Sequence, residues 1–253
     1  NEKNCGAVDV VDNWNNCLNH SSGNFVICMG DDDLLLPNCL EEYVRLIEHY
    51  PGLAVYHAWT EIIDDESKVY DIQEHRPAYE SAYSLAWHRF TCRYKQFIGD
   101  FCFNREDLLS EGGFFKLPLA WASDDITAVR AALKAGVANT QVPCFQYRMS
   151  KLSISNNGPD EIKFQASIKE ELWYKKNFSL EKLTALSGID RLYADLIYSM
   201  LPGYFSQKRK MLISHDIEKH PVRLFHWLKK DYKDAADART IMMGRIKSIL
   251  RSK

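Results

Sequence analysis

Phe25-Val26-Ile27-Cys28-Met29-Gly30-Asp31-Asp32-Asp33-Leu34-Leu35-Leu36-Pro37 is the stretch on which the fold turns. Its first five residues form an apolar run closed by Gly30. Such a run reads as a strand buried on both faces, as in a parallel sheet covered by helices. Three consecutive carboxylates then leave the carboxyl end of that strand. Pro37 suits the first turn of a helix, where its missing N–H is not needed. Leu40, Tyr43, Val44 and Ile47 follow at helical spacing, and Tyr50-Pro51-Gly52 ends the run. Open α/β sheets bind ligands just outside the carboxyl ends of their strands. Adjacent carboxylates repel one another there, and a divalent cation with oxygen ligands relieves the repulsion. The alternative is a plain Asp-rich turn, because Asp favours turns and helix starts. Three carboxylates in succession after a buried strand favour a site.

Other motifs flank this stretch in a fixed order. Upstream stand Asn1-Glu2-Lys3-Asn4-Cys5-Gly6, then Trp14-Asn15-Asn16-Cys17-Leu18 and Gly23. Downstream stand Gly112-Gly113-Phe114, Asp124-Asp125, Arg130, Gly136, Tyr147-Arg148 and Ser153. Taken together, residues 1–156 resemble the family 2 glycosyltransferases, which have the GT-A fold. That family often reads D-S-D-D-x-x-x-P at the acidic turn, so Gly30 stands where its first Asp would be.

The resemblance implies an α/β fold: a GT-A-like, mostly parallel sheet flanked by helices, with its N-terminal part missing and a C-terminal helical appendage. A complete member would begin with two further strand–helix units, so the sheet is expected to have an open edge. The implied boundary divides 1–158, a partial glycosyltransferase domain, from 159–253, a helical region. Among site residues, the resemblance makes Asp32 the metal ligand with Asp33 near, for Mg²⁺ or Mn²⁺, and makes Asp31 either a contact to the donor ribose or a support behind the metal ligands. It makes Asp125 the base that takes the acceptor proton, with Asp124 next in line. Asn15 becomes a nucleotide contact, against the alternative of an ordinary surface-helix Asn. Apart from the resemblance, the polar, Gly/Ser/Asn-rich run 148–158 reads as a flexible lid from which Arg148 or Lys151 reaches a diphosphate, against the alternative of an ordinary surface loop. The implied activity is inverting transfer from a nucleotide-sugar, a UDP-sugar in first place, to a glycan or lipid-linked acceptor in surface polysaccharide or glycolipid synthesis.

Composition sets outer bounds. The chain has 253 residues, enough for one large domain or a domain with an appendage. A net charge of −2 gives no overall pull toward nucleic acid. Seven Cys without a C-x-x-C pair argue against structural zinc, haem and a disulfide framework, and for a reducing, cytoplasmic setting. No apolar run approaches the ~20 residues of a membrane span.

Further along, residues 8–20 place Val8, Val11, Trp14, Asn15 and Leu18 near one helical face. Leu53–Trp59 reads as a second strand, and Asp64-Asp65 as part of a solvated turn. His57 reads as a packed strand histidine. Tyr79, Tyr83, Trp87, Phe90, Tyr94 and Phe97 have the spacing of one helical stripe, facing either the core or an acceptor sugar. Phe101–Phe103 reads as a short strand, Arg105–Glu111 as a short helix, and Gly112-Gly113 as a turn needing positive φ. Ser123 is the expected N-cap of a helix that Gly136 stops. Residues 208–253 carry thirteen Lys/Arg against five Asp/Glu, interleaved with apolar residues. That pattern suits amphipathic helices at an anionic membrane surface, on the inner face, or a solvated face or dimer contact. Two other functional classes stay open on sequence alone: a metal-dependent phosphodiester or nucleotide hydrolase, and a non-catalytic nucleotide- or glycan-binding module.

Overall fold

The computed structural model describes residues 9–149, 158–229, 232 and 238–251. Asn1 to Gly6, Lys151 and Ser153 lie outside the described residues, as does most of the expected lid. The first helix, α1 (Val10–His20), buries Val11 and Leu18. Strand β1 (Phe25–Ile27) leads into the acidic turn, and the two-residue strand β2 (Leu34–Leu35) leaves it. Helix α2 (Cys39–His49) follows. A long strand, β3 (Val55–Ile63), turns back through Asp64–Lys68 into β4 (Val69–Ile72). Next come β5 (Tyr79–Glu80), α3 (Ala82–Phe90), β6 (Phe101–Asn104) and α4 (Arg105–Ser110). Helix α5 (Ser123–Ala135) and the long strand β7 (Val137–Arg148) complete the α/β part.

The sheet runs β1-β6-β3-β7-β2, with β4 beside β3 and β5 beside β7. It is mixed, where a mostly parallel sheet was expected. Only β3 and β7 pair in parallel, from Tyr56↔Ala138 to Ile63↔Arg148. Strand β6 is antiparallel to both β1 and β3, so β1, β3 and β7 still point the same way. The α/β frame is therefore intact, with one reversed strand inserted between two parallel ones. Because β1 has one strand neighbour among the described residues, its side chains are only half-buried. It also spans three residues rather than the five of the apolar run, because Cys28 and Met29 already belong to the approach to the turn.

Two helical stripes are corrected by tertiary packing. In α2 the buried residues are Cys39 and Tyr43, while Leu40 and Val44 face solvent, because β7 and the Leu34–Leu36 stretch hold the other face. The aromatic stripe from Tyr79 to Phe97 is broken up: Tyr79 lies in β5, and only 82–90 are helical. Ser81 caps α3, accepting the Ser84 N–H at 3.2 Å.

The C-terminal region is helical, as expected: α6 (Asp160–Asn177), α7 (Leu180–Leu183), α8 (Gly188–Lys219), α9 (Leu224–Trp227) and α10 (Ala238–Arg251). It is more than an appendage. Ala166, Tyr174, Phe178, Ile197, Leu201 and Phe205 belong to the same hydrophobic core as Phe101, Phe103 and Ile126 of the α/β part. The Phe90 ring stands edge-on to Tyr174 and Tyr204 at 4.7 and 4.8 Å. Each fully buried ring contributes about 2 kcal/mol of burial, so residue 158 divides element types and not cores. Farther out, Ile213, Ile217, Trp227 and Tyr232 gather around Phe164 in a second cluster. Leu212 joins that cluster, whereas Val222, Phe225 and Leu228 are exposed. No helix among the described residues is long and apolar enough to cross a membrane.

Candidate active site

The acidic turn is built from backbone donors. Asp33 is buried; its Oδ1 accepts the Arg148 N–H at 3.0 Å and its Oδ2 accepts the Gly30 N–H at 3.3 Å. Burial, with Asp32 and Asp100 nearby, outweighs those two hydrogen bonds and pushes the Asp33 carboxyl up to about 6. Asp31 and Asp32 are exposed. A Cβ on Gly30 would lie 2.7 Å from Asp32 Oδ1 and 3.2 Å from Asp33 Oδ2. Both oxygens thus face one small space that only glycine leaves open.

Arg148 straps this turn in place. Its Nε–H donates to the Asp32 carbonyl at 2.9 Å, one terminal nitrogen donates to the Asp64 carbonyl at 2.6 Å, and the other to Ser67 Oγ at 2.9 Å. The guanidinium therefore ties the acidic turn to the β3–β4 hairpin. Asp64 itself accepts the Glu66 and Lys68 N–H groups within the hairpin turn.

Asn15 is likewise committed. Its Oδ1 accepts the Phe114 N–H at 2.7 Å and its Nδ2 donates to the Phe114 carbonyl at 3.2 Å. Gly113, at φ +83, admits this clamp, because a Cβ there would run into Asn15 Oδ1. Arg130 closes the same turn by donating to the carbonyls of Glu111 and Gly113. Asn15 and Arg130 thus fasten the Gly112-Gly113 turn from two helices.

The second acidic pair opens α5. Leu119, Ala120 and Ala122 precede it with φ of 59°, 52° and 69°. Left-handed geometry at non-glycine residues costs about 1 kcal/mol or more each, so the surrounding packing must fix this loop. It does so through the buried Leu117 and Leu119 side chains and a Ser123 Oγ that accepts the Leu117 N–H at 3.1 Å. Ser123 is accordingly the first helical residue and not the cap; Ala122 holds that position without a side-chain hydrogen bond.

The two aspartates face different surroundings. Asp125 is buried; its Oδ1 accepts Arg89 Nε–H at 2.7 Å and Gln96 Nε2–H at 2.6 Å. Burial opposes its charge, but the Arg89 guanidinium and these hydrogen bonds overcome that and hold it below the ordinary carboxylate range. Asp124 is pushed up, by burial first and by the neighbouring Asp125 charge second.

Tyr147 joins the two acidic groups. Its ring stacks on Phe97 with centroids 3.5 Å apart. Burial, then the charges of Asp33, Asp124 and Asp32, push its hydroxyl up to about 12. The acidic turn and the start of α5 therefore bear on one side chain at the end of β7. Tyr147 was visible in the sequence only as part of a closing motif. Arg89 and Gln96 carried no signal of their own, and Phe97 stood in the sequence only as the end of the aromatic stripe.

Among the described residues no three His, Cys, Asp or Glu side chains converge on a metal position. The Asp32–Asp33 pair beside Gly30 offers two carboxylate oxygens. Mg²⁺ characteristically takes one or two carboxylates and fills its shell with water and substrate phosphates. The pair fits that kind of centre and does not fit an all-protein cage.

The family described as Glycosyl transferase family 2 matches residues 8–113. Over those residues the chain is similar to the family 2 glycosyltransferases. The segment includes Asn15, the acidic turn and Gly112-Gly113, whereas Asp124, Asp125, Tyr147 and Arg148 lie beyond the matched stretch. No curated protein matches the chain. Among solved structures, S. aureus TarS aligns at TM-score 0.50 and 11% identity, covering 96% of this chain and 41% of that one. The S. aureus TarS 1-349 structure aligns at TM-score 0.50 and 12% identity, covering 97% and 72%. The mannosyltransferase PcManGT from Pyrobaculum calidifontis, in complex with GDP-Man and Mn²⁺, gives TM-score 0.41 and 13% identity, covering 96% and 67%. The TarS likeness shows that residues 8–113 and the helices after them follow a known fold. This chain spans under half the length of the first of these structures.

Proposed function

We propose that this chain transfers a sugar, with inversion, from a nucleotide-sugar donor to an acceptor hydroxyl. One observation supports the reading most: the charges of carboxylates from two distant elements, Asp32 and Asp33 in the acidic turn and Asp124 at the start of α5, act on one side chain, Tyr147, near the carboxyl end of the parallel strands. Donor diphosphate and acceptor hydroxyl need opposed acidic groups of this kind.

Asp32 and Asp33 would hold Mg²⁺ or Mn²⁺, which supplies charge neutralisation for the departing nucleoside diphosphate. Gly30 keeps the space between their oxygens open, and Arg148 fixes the backbone that carries them. Asp31, exposed at the rim, is left to contact the donor ribose. Asn15 acts from below, by holding the Gly113–Phe114 turn.

The family resemblance points to Asp125 as the base. The electrostatics favour Asp124, whose charge acts on Tyr147 and whose carboxyl is pushed up, while Asp125 is neutralised by Arg89. In this reading Asp124 takes the proton from the acceptor hydroxyl. The acceptor oxygen forms a bond to the anomeric carbon on the face opposite the diphosphate, whose oxygen leaves with the bonding pair. Asp125, fixed by Arg89 and Gln96, keeps a negative charge beside Asp124 and so keeps it basic. The UDP-sugar class remains the first donor to test. The exposed Val222 and Phe225, beside Arg223 and Lys229, would supply peripheral contact with an anionic membrane surface.

The test is calorimetric titration of UDP, with and without Mn²⁺, into this chain and into Asp32→Ala. Binding that requires Mn²⁺ and disappears in the variant is expected. UDP binding that is indifferent to both would overturn the assignment of the acidic turn.

A further inference from the structure

One stretch between α3 and β6, Gln96-Phe97-Ile98-Gly99-Asp100, reaches both acidic groups of the site. At one end Gln96 Nε2–H donates to Asp125 Oδ1 at 2.6 Å. The Phe97 ring stacks on Tyr147. Gly99 lies against the acidic turn: a Cβ there would stand 3.3 Å from Asp33 Oδ2, 3.3 Å from Met29 Cβ and 2.6 Å from the Phe145 ring. Gly99 does not have a positive φ, so close approach is what calls for glycine at this position.

Asp100 closes the stretch and is fully buried. Its two carboxylate oxygens accept the Phe97 N–H at 3.3 and 3.2 Å, which ties back the single 3-10 turn Ile98–Asp100. Its Oδ2 also accepts Gln73 Nε2–H at 2.6 Å and the Thr60 hydroxyl at 3.4 Å, and lies 3.5 Å from His57 Nε2. The Asp100 carbonyl accepts the Tyr43 hydroxyl at 3.0 Å. Just before the stretch, the Lys95 carbonyl accepts Gln73 Nε2–H at 3.0 Å and an Arg76 terminal N–H at 2.8 Å. Both ends are thus fastened to β3 and to the residues after β4. Burying a carboxylate is costly, and it persists where its oxygens are used. The Asp100 charge, moreover, acts on both Asp33 and Asp124.

We propose that Asp100 is a positioning residue: by pinning the 96–100 turn it holds the acidic turn and the aspartates of α5 at one separation. The proposal rests on the transfer reading above and adds to it the residue that sets the spacing between its two halves. Each half is also fastened without this turn. Asp33 accepts the Gly30 and Arg148 N–H groups, and Asp125 accepts Arg89 Nε–H. Loosening the turn therefore leaves each half able to bind and spoils only the step that needs both. Misplacing a reacting group by about 1 Å can cost about 10²-fold in rate.

The test uses the full chain and three variants. Asp100→Asn removes the charge and turns an amide N–H toward the Gln73 donor. Gln73→Met keeps the Asp100 carboxylate and its bonds to Phe97 but removes the outer anchor. Gln96→Met removes the arm to Asp125, together with a carbonyl oxygen that has no hydrogen-bond partner among the described residues. In Asp100→Asn, amide hydrogen exchange is expected to rise severalfold in the peptides spanning Met29–Asp33 and Ser123–Asp125, which flank the turn on either side. UDP affinity with Mn²⁺ is expected to stay within about threefold, while the transfer rate, normalised to calorimetric stoichiometry, falls about tenfold or more. The change is thus in kcat and not in donor KM. Gln96→Met is expected to give a similar fall, and the double variant with Asp100→Asn no further one, because both act through one turn. If Asp100→Asn does not fold, Gln73→Met carries the same test, with the same split at a few fold.

Faster exchange confined to 96–104, a rate that falls only in step with UDP affinity, or an unchanged rate overturns the proposal. A parent chain that neither binds UDP nor transfers sugar overturns the transfer reading, and hydrogen exchange then still decides whether Asp100 holds the two acidic groups together. An active parent whose variants keep both rate and exchange overturns this proposal alone.

Discussion

Arg89 Nε meets Asp125 Oδ1 at 2.7 Å, joining the last turn of α3 to the first turn of α5. Removing one partner of a buried ion pair leaves an uncompensated charge, which typically costs 3–5 kcal/mol, so about 3 kcal/mol is expected for Arg89→Ala. Urea unfolding at pH 7.5 checks it. The double variant Arg89→Met/Asp125→Asn should recover part of the loss, because no lone charge then remains. A single variant as stable as the parent would show that the pair is solvated.

Asp124 and Asp125 separate by what their amides do. Asp124→Asn is expected to lower transfer by roughly 10²–10⁴-fold, the usual range for a general base, with the melting temperature held within a few degrees. Asp125→Asn is expected to lower the melting temperature too, since it strands Arg89. Transfer rates and thermal melts on the same preparations check both. A fully active Asp124→Asn with an inactive, stable Asp125→Asn would return the base to Asp125.

Arg148 makes three hydrogen bonds from one guanidinium to the acidic turn and the neighbouring hairpin. Arg148→Lys keeps the charge and loses the fork, so Mn²⁺-dependent UDP binding should weaken by about tenfold, close to the loss of one charge-assisted hydrogen bond. Calorimetry gives the constant. Equal weakening in the presence and absence of Mn²⁺ would point instead to a direct phosphate contact.

His57 is buried in β3, and burial, helped by Arg76, pulls its imidazole down to about 4. A histidine with a depressed folded-state value is neutral in the native chain and binds its proton more readily when unfolded. Stability is therefore full above the unfolded value of about 6.5 and is lost as pH falls from there toward 4, reaching about 2 kcal/mol by pH 5. Denaturant titrations at pH 7.5 and 5 should show the loss in the parent, and a smaller one in His57→Gln. A loss of equal size in both would place its origin in other groups.

Gly113 and Asn15 form a lock that one methyl group should break. At φ +83, with Asn15 Oδ1 facing the place of a Cβ, Gly113→Ala is expected to cost about 2 kcal/mol. Asn15→Ala leaves the Phe114 backbone without either partner and is expected to cost a similar amount. If their double variant costs no more than either alone, the two residues act as one unit.

The acidic turn was legible because an apolar run, a glycine and three carboxylates occur together in Phe25–Asp33, and each obeys a local rule. Gly112-Gly113 and Gly136 were legible for the same reason: a required φ leaves its mark on one residue. Arg89 and Gln96 were not, because their meaning comes from a side chain on another helix, and neither position departs from ordinary surface composition. The direction of β6 was also hidden. Phe101-Cys102-Phe103 would look the same in either orientation, and its reversal depends on how α3 returns the chain to the sheet. The shared core escaped notice because α6 buries Asp160, Lys163, Ser167 and Glu170 among its apolar residues, which blurs the helical period. Its partners on α3 were masked by a longer apparent stripe that mixed strand and helix positions.

The ring cluster around Phe90 limits how this chain can be recombined. Grafting a different helical tail onto residues 9–149 would expose an edge of Phe90 that Tyr174, Tyr204 and Phe205 now enclose. Any exchange of that tail must therefore carry these three rings with it, or bring equivalents at the same positions.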